Sequence, residues 1–96
     1  MDPALKAAKL YQTKRVLVGT YIIMENYYIR KRRIDKVGVI QNKMIEFVNI
    51  TDIAVMNKYV KSIDIDEIRD VFNAIKMDYD VNVEYILSTL ETLTNK

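Results

Sequence analysis

The chain has 96 residues, of which half are hydrophobic and only three are Gly or Pro. This length and composition predict a single packed domain over residues 1–96, not a disordered chain. The chain has neither Cys nor His, which excludes disulfides, Cys/His zinc centres and His-dependent catalytic triads within one chain. We therefore expect a protein that is not an enzyme and holds no cofactor or metal.

The charge is divided unevenly along the chain. Residues 1–48 carry ten Lys or Arg against four Asp or Glu, whereas residues 49–96 carry five against nine. The net charge is only +2, so bulk charge alone does not indicate a nucleic-acid-binding protein. The opposite charges of the two halves predict attraction between them, either within the fold or between subunits.

No signal sequence is apparent, because the chain opens without a basic segment followed by an apolar one. The longest apolar stretch, Val16 to Met24, is also much shorter than the roughly 20 residues of a membrane span. We therefore expect an intracellular protein without a membrane partner, in the cytoplasm or, if viral, in the host cytoplasm. The richness in Ile, Lys, Asn and Tyr, which have AT-rich codons, indicates an AT-rich genome, as in many viruses, phages and plasmids and in some archaea and bacteria.

The first predicted element is a short helix. Asp2 is a suitable N-cap, Pro3 suits the first helical position, and the residues up to Leu10 are mostly strong helix formers. We predict that the helix ends near Gln12 or Thr13. The side chains predicted to face the core are Leu5, Ala8 and Leu10.

The next segment, from Val16 to Ile50, is dense in Val, Ile, Tyr and Phe, which favours strands. Read as a helix, residues 16–29 would be apolar on every side, without a polar stripe. Asn tolerates turn conformations and recurs between the apolar runs. The predicted turns of an antiparallel meander are Glu25–Asn26, Gln41–Asn42–Lys43 and Asn57–Lys58.

An alternative reading of the same segment is helical. Val37, Ile40, Met44 and Phe47 are spaced by three and four residues, as on one face of a helix. An all-α bundle therefore remains the alternative architecture.

The end of the chain predicts two amphipathic helices. Asp64 and Glu67 have the spacing of a capping box, and the helix that follows should run to about Lys76. Its predicted buried face is Ile65, Ile68, Val71, Phe72 and Ile75. After a polar loop over residues 77–81, Asn82 is placed to cap a last helix. The predicted face of that helix is Val83, Ile86, Leu87, Leu90 and Leu93.

These elements predict an α+β fold: an N-terminal helix, a small antiparallel sheet of three or four strands, and two C-terminal helices packed on one face. The runs 20–34, 38–40 and 47–53 resemble the strand pattern of small bacterial pleckstrin-like domains. That resemblance covers less than half of the chain and implies no residue role.

The basic run that follows Tyr27 and Tyr28 is the candidate binding site. A strand with charge on both faces has to lie at a sheet edge or project as a ribbon. Such a ribbon can follow a phosphate backbone while nearby tyrosines stack on bases. The candidate nucleic-acid-binding residues are Arg30, Lys31, Arg32, Arg33, Lys36, Lys14, Arg15, Tyr27 and Tyr28.

Two functions follow as hypotheses. The first is a small DNA- or RNA-binding protein, such as a viral or plasmid-encoded regulator. The alternative is a protein–protein interaction or assembly module, a homo-oligomer such as a homodimer or a subunit of a larger complex, in which the basic run only blocks edge-to-edge pairing. Apolar residues on both faces of the predicted strands favour cover by a second subunit.

Overall fold

The structure, a computed structural model, describes residues 2–76. This part of the chain is 85% helical and contains no strand. Its four helices are α1 (Pro3–Arg30), α2 (Ile34–Val48), α3 (Ile53–Lys61) and α4 (Ile65–Lys76). The predicted α+β fold is therefore wrong, and the all-α alternative describes the architecture.

The start of α1 is as predicted. The Asp2 carboxylate accepts a hydrogen bond from the backbone N–H of Ala4 at 3.0 Å, and Pro3 occupies the first helical position. The predicted end of this helix near Thr13 is wrong, because it continues to Arg30. The predicted core face is wrong as well: Leu5 and Ala8 are exposed, and Leu10 is half-buried. At about 42 Å, α1 is nearly twice as long as α2, so its first turns extend past the helix that packs on it.

All three predicted turns lie inside helices. Glu25–Asn26 is within α1, Gln41–Asn42–Lys43 within α2, and Asn57–Lys58 within α3. An Asn inside a helix costs only a few tenths of a kcal/mol relative to better helix formers. Burial of apolar side chains outweighs that cost, and no adjacent Gly or Pro stops the helices at these points.

The prediction of strands over residues 16–50 is also wrong, because the buried side chains of this segment have the spacing of a helix. Along α1, the buried Leu17, Tyr21, Met24 and Tyr28 are spaced by four, three and four residues, which is a helical period. In α2 the residues spaced by three and four lie on one face of a helix, as the alternative reading predicts, and Ile40 and Phe47 of this set are buried. The similarity to pleckstrin-like strands is overturned, because its residues form helices.

The core lies between the inner side of α1 and the other three helices. Phe47 is fully buried, and its ring centroid lies 5.4 Å from that of Tyr21 and 5.9 Å from that of Tyr59. Two threonines are also buried in α1, where Thr13 and Thr20 donate hydrogen bonds to carbonyl oxygens one turn earlier at 2.8 Å. These bonds satisfy the hydroxyl groups within the apolar core.

The fourth helix is confirmed. Asp64 Oδ1 accepts a hydrogen bond from the backbone N–H of Glu67 at 3.1 Å, as in the predicted capping box. Of its predicted face, Ile65 is half-buried and the other four side chains are buried. The predicted loop over residues 77–81 and the helix predicted after Asn82 lie outside the described residues.

Candidate nucleic-acid interface

The basic run forms the connection between α1 and α2. Arg32 N–H donates to Ile29 O at 3.0 Å, and Arg33 N–H donates to Tyr28 O at 2.9 Å. These two bonds form a Schellman motif, in which Arg32 takes the left-handed position with a φ of 58°. The name basic turn is used below for Arg30, Lys31, Arg32 and Arg33.

The predicted strand or ribbon is therefore wrong for these residues. On a strand, the four side chains would alternate between two faces of a sheet. In the structure the chain reverses direction between the helices, and all four side chains are exposed at one end of α1. The turn thus concentrates positive charge at one corner of the described part of the molecule.

Arg33 forms a two-pronged contact with Asp35. Its Nε and Nη2 atoms donate to the two carboxylate oxygens of Asp35 at 3.2 and 3.1 Å. The hydrogen bonds from Arg33 hold the pKa of Asp35 below its ordinary value. Both side chains remain more than half exposed, so a phosphate can replace this carboxylate at little energetic cost.

The two tyrosines before the basic turn have different environments. Tyr27 is half-buried, and Lys31 Nζ lies 5.6 Å from the centroid of its ring. Tyr28 was predicted to be exposed and is instead only 7% exposed, with its ring centroid 5.4 Å from that of Tyr27. Because its faces are covered by the core, Tyr28 is not available to stack on bases.

Lys36 lies inside a contact between helices. Its Nζ atom lies 2.9 Å from Glu67 Oε2 and 5.9 Å from the centroid of the Tyr28 ring. Burial and the nearby carboxylate of Glu67 raise the pKa of Tyr28 to about 12. Lys36 therefore joins α2 to α4 through this ion pair.

The remaining predicted site residues are far from the basic turn. Lys14 lies sixteen residues before Arg30 on the same helix, a distance of about 24 Å along its axis. Its Nζ atom donates to Val48 O at 2.7 Å, which attaches α1 to the end of α2. Arg15 is exposed but equally distant, so the structure does not bring this pair and the basic turn together.

A second surface was missed when the sequence was read as strands. Six residues of α1 are spaced alternately by four and three, and they follow one flank of the helix beside its buried face. Four of them are exposed, whereas Val18 and Glu25 are half-buried and Val18 also packs against the edge of the core. We call the six residues the outer seam: Tyr11, Arg15, Val18, Ile22, Glu25 and Ile29. Their spacing by four and three residues indicates this surface as soon as residues 11–29 are read as a helix.

Two surface depressions also lie among the described residues. One, of about 170 Å³, is lined by Tyr21, Lys43, Glu46, Tyr59, Ser62 and Ile63. Its volume is below the 300 Å³ or so of a typical ligand pocket. The other, of about 430 Å³, lies between the first turns of α1 and the start of α3, at residues 51–54.

Comparison with protein-family models, curated proteins and solved structures gives no match for this chain. Within residues 2–76, no helix combines the length and apolar character needed to cross a membrane. The same residues contain no cluster of three or more His, Cys, Asp or Glu side chains placed to hold a metal ion. The function is therefore inferred from the two surfaces described above.

Proposed function

We propose that this protein binds nucleic acid through the basic turn, which contacts backbone phosphates. The observation that carries the proposal is the exposure of four consecutive basic side chains at one helix–helix corner. Clustered Lys and Arg bind phosphates by releasing condensed counterions, without reading sequence. Tyr27 is half-buried, with its ring centroid 5.6 Å from Lys31 Nζ, and provides an aromatic side chain beside this surface.

The backbone of Arg32 supports the same proposal. A residue other than Gly in the left-handed region costs about 1 kcal/mol, and Gly is the usual residue at this position of a Schellman motif. An arginine with a φ of 58° therefore sacrifices some stability to place a charge at the tip of the turn. Local backbone strain of this kind is often found at binding sites.

Binding is tested by fluorescence anisotropy with labelled duplex DNA, single-stranded DNA and RNA at several salt concentrations. The variant Lys31→Gln/Arg32→Gln removes two charges from the turn. The variant Lys6→Gln/Lys9→Gln removes two exposed charges from the other end of the same helix. We expect the first variant to flatten the dependence of log affinity on log salt by about 1 to 2.

The matched control should retain the salt dependence of the wild type. Equal losses in both variants would show that only net charge matters and that the basic turn is not a site. Absence of binding at low salt would refute nucleic-acid binding altogether. Circular dichroism of each variant checks that the helices are intact.

A second candidate function, protein–protein assembly, is favoured by a different observation. Nine large hydrophobic side chains are more than 40% exposed in the described residues, and three of them lie on the outer seam. Exposed apolar residues that line up along one helix are characteristic of interaction surfaces.

A further inference from the structure

The helix α1 carries apolar residues on two sides, and only one side is covered in the described part of the chain. Its inner side packs Leu17, Tyr21 and Met24 into the core. On the outer seam, Tyr11 is 65% exposed, Ile22 44% and Ile29 53%. A helix that is apolar all round is normally buried all round, so the outer seam has the composition of a surface that another helix covers.

The spacing of the outer seam is that of a coiled coil. Alternating steps of four and three residues place a side chain in the seam at each step over nearly three heptads. Four of the six positions are apolar, and the other two are Arg15 and Glu25. In residues 2–76, neither of these charged side chains has an ion-pair or hydrogen-bond partner.

The seam is also symmetric about its midpoint at Thr20. Tyr11 and Ile29 lie nine residues either side of that midpoint, and Val18 and Ile22 lie two residues either side. Arg15 and Glu25 lie five residues either side of the midpoint. In a second helix that runs in the opposite direction, Glu25 therefore lies opposite Arg15, and Arg15 lies opposite Glu25. In an antiparallel pair about a two-fold axis, each of these residues meets the residue at the mirrored position of the other copy, so each positive charge meets a negative one.

We propose that the outer seam binds a second copy of this chain, with the two α1 helices antiparallel about a two-fold axis that crosses the seam between Val18 and Ile22, level with Thr20 along the helix. Val18 then packs against Ile22 of the other copy, and Arg15 pairs with Glu25 of the other copy. The parallel arrangement places Arg15 against itself and Glu25 against itself, which is unfavourable. The proposal rests on the assembly function and is independent of nucleic-acid binding.

Neighbouring residues extend the surface beyond α1. The hydrogen bond from Lys14 to Val48 O places the end of α2 beside the seam near Tyr11, and the Val48 side chain is 47% exposed. At the other end Ile34, 80% exposed, follows the basic turn. The outer seam itself runs for about 27 Å along α1, so these flanking side chains lengthen the apolar face at both ends.

The oligomeric state of the full chain is measured by sedimentation equilibrium over a range of concentrations. We expect the wild type to reach twice the 11.3 kDa of one chain as the concentration rises. Ile22→Glu should sediment as a monomer. Val55→Glu, which places the same charge on a similarly exposed residue of α3, should dimerise like the wild type.

A charge exchange tests the antiparallel geometry. Arg15→Glu and Glu25→Arg should each weaken association by about tenfold or more, since each places like charges opposite one another. The double variant Arg15→Glu/Glu25→Arg should return to within about threefold of the wild type. Arg15 and Glu25 are about 15 Å apart within one helix, so this rescue has to occur between copies.

Three results would overturn the proposal: a wild type that remains monomeric at its highest soluble concentration, a dimer that Ile22→Glu leaves intact, or a double variant as weak as the single ones. None of them bears on nucleic-acid binding by the basic turn, because the anisotropy experiment changes none of these residues.

Discussion

Lys36 Nζ lies 2.9 Å from Glu67 Oε2, and this half-buried ion pair joins α2 to α4. The carboxylate also lies near Tyr28 of α1 and contributes to the raised pKa of its hydroxyl, so three helices meet at one charged group. Lys36 thus contributes to the fold, although the sequence predicted it as a phosphate contact.

The coupling between Lys36 and Glu67 is measurable by a double-mutant cycle. We expect Lys36→Met and Glu67→Gln to be coupled by about 1 kcal/mol in the free energy of unfolding, between the values of exposed and buried pairs. Urea denaturation of the four proteins gives this number. The same cycle on Arg33 and Asp35, which are more than half exposed, should give a smaller coupling. Similar couplings for both pairs would contradict the role of burial.

Stability should fall above pH 10, because burial raises the pKa values of Tyr28, Tyr21 and Tyr59 above those of the unfolded chain, and Tyr28 accounts for a measurable part of the fall. The pKa of Tyr28 is about 12 in the folded protein and about 10 in the unfolded chain, so the unfolded state loses its proton first as the pH rises. The favourable contribution is complete below pH 10 and is lost between pH 10 and 12, which amounts to about 1.4 kcal/mol at pH 11. Urea midpoints at pH 8 and pH 11 measure the loss. Tyr28→Phe should show a smaller decrease between these two pH values, and an unchanged decrease would assign it to other groups.

The strain at Arg32 predicts opposite effects on stability and binding. Arg32→Gly should stabilise the fold by about 0.5 to 1 kcal/mol, because Gly adopts the left-handed conformation without a steric cost. The same change should weaken nucleic-acid binding by removing a charge. Arg32→Ala removes the charge but retains a side chain at a φ of 58°, so it should weaken binding without stabilising the fold. Chemical denaturation and anisotropy test the two effects separately.

The two proposed surfaces together predict a dependence on duplex length. In the antiparallel dimer the two basic turns lie roughly 30 to 35 Å apart, close to one turn of B-DNA. A duplex of about 16 base pairs can reach both turns, whereas one of about 8 cannot. We expect the longer duplex to bind the wild type about tenfold more tightly or better. Ile22→Glu should show a much smaller difference, and an equal one would mean that the two turns act separately.

Local signals in the sequence were sufficient at both ends of the described chain. The Asp2 cap, Pro3 and the Asp64–Glu67 spacing act within one helical turn, so their effects do not depend on distant packing. The buried face of α4 was also predictable, because its polar side distinguishes it from its apolar side. The exposed basic run was visible in the sequence, although its conformation was not.

The middle of the chain was decided by tertiary structure. Residues 16–29 are apolar on every side, so hydrophobic pattern alone does not separate a strand from a helix there. Packing of Leu17, Tyr21 and Met24 against the other helices selects the helix and leaves its other side uncovered. The packing of the helices also brings Lys36 to the Glu67 carboxylate and Lys14 to the carbonyl oxygen of Val48, to which each donates a hydrogen bond. A sequence specifies which charges are present, but the pairing of residues more than thirty positions apart is set only when helices pack.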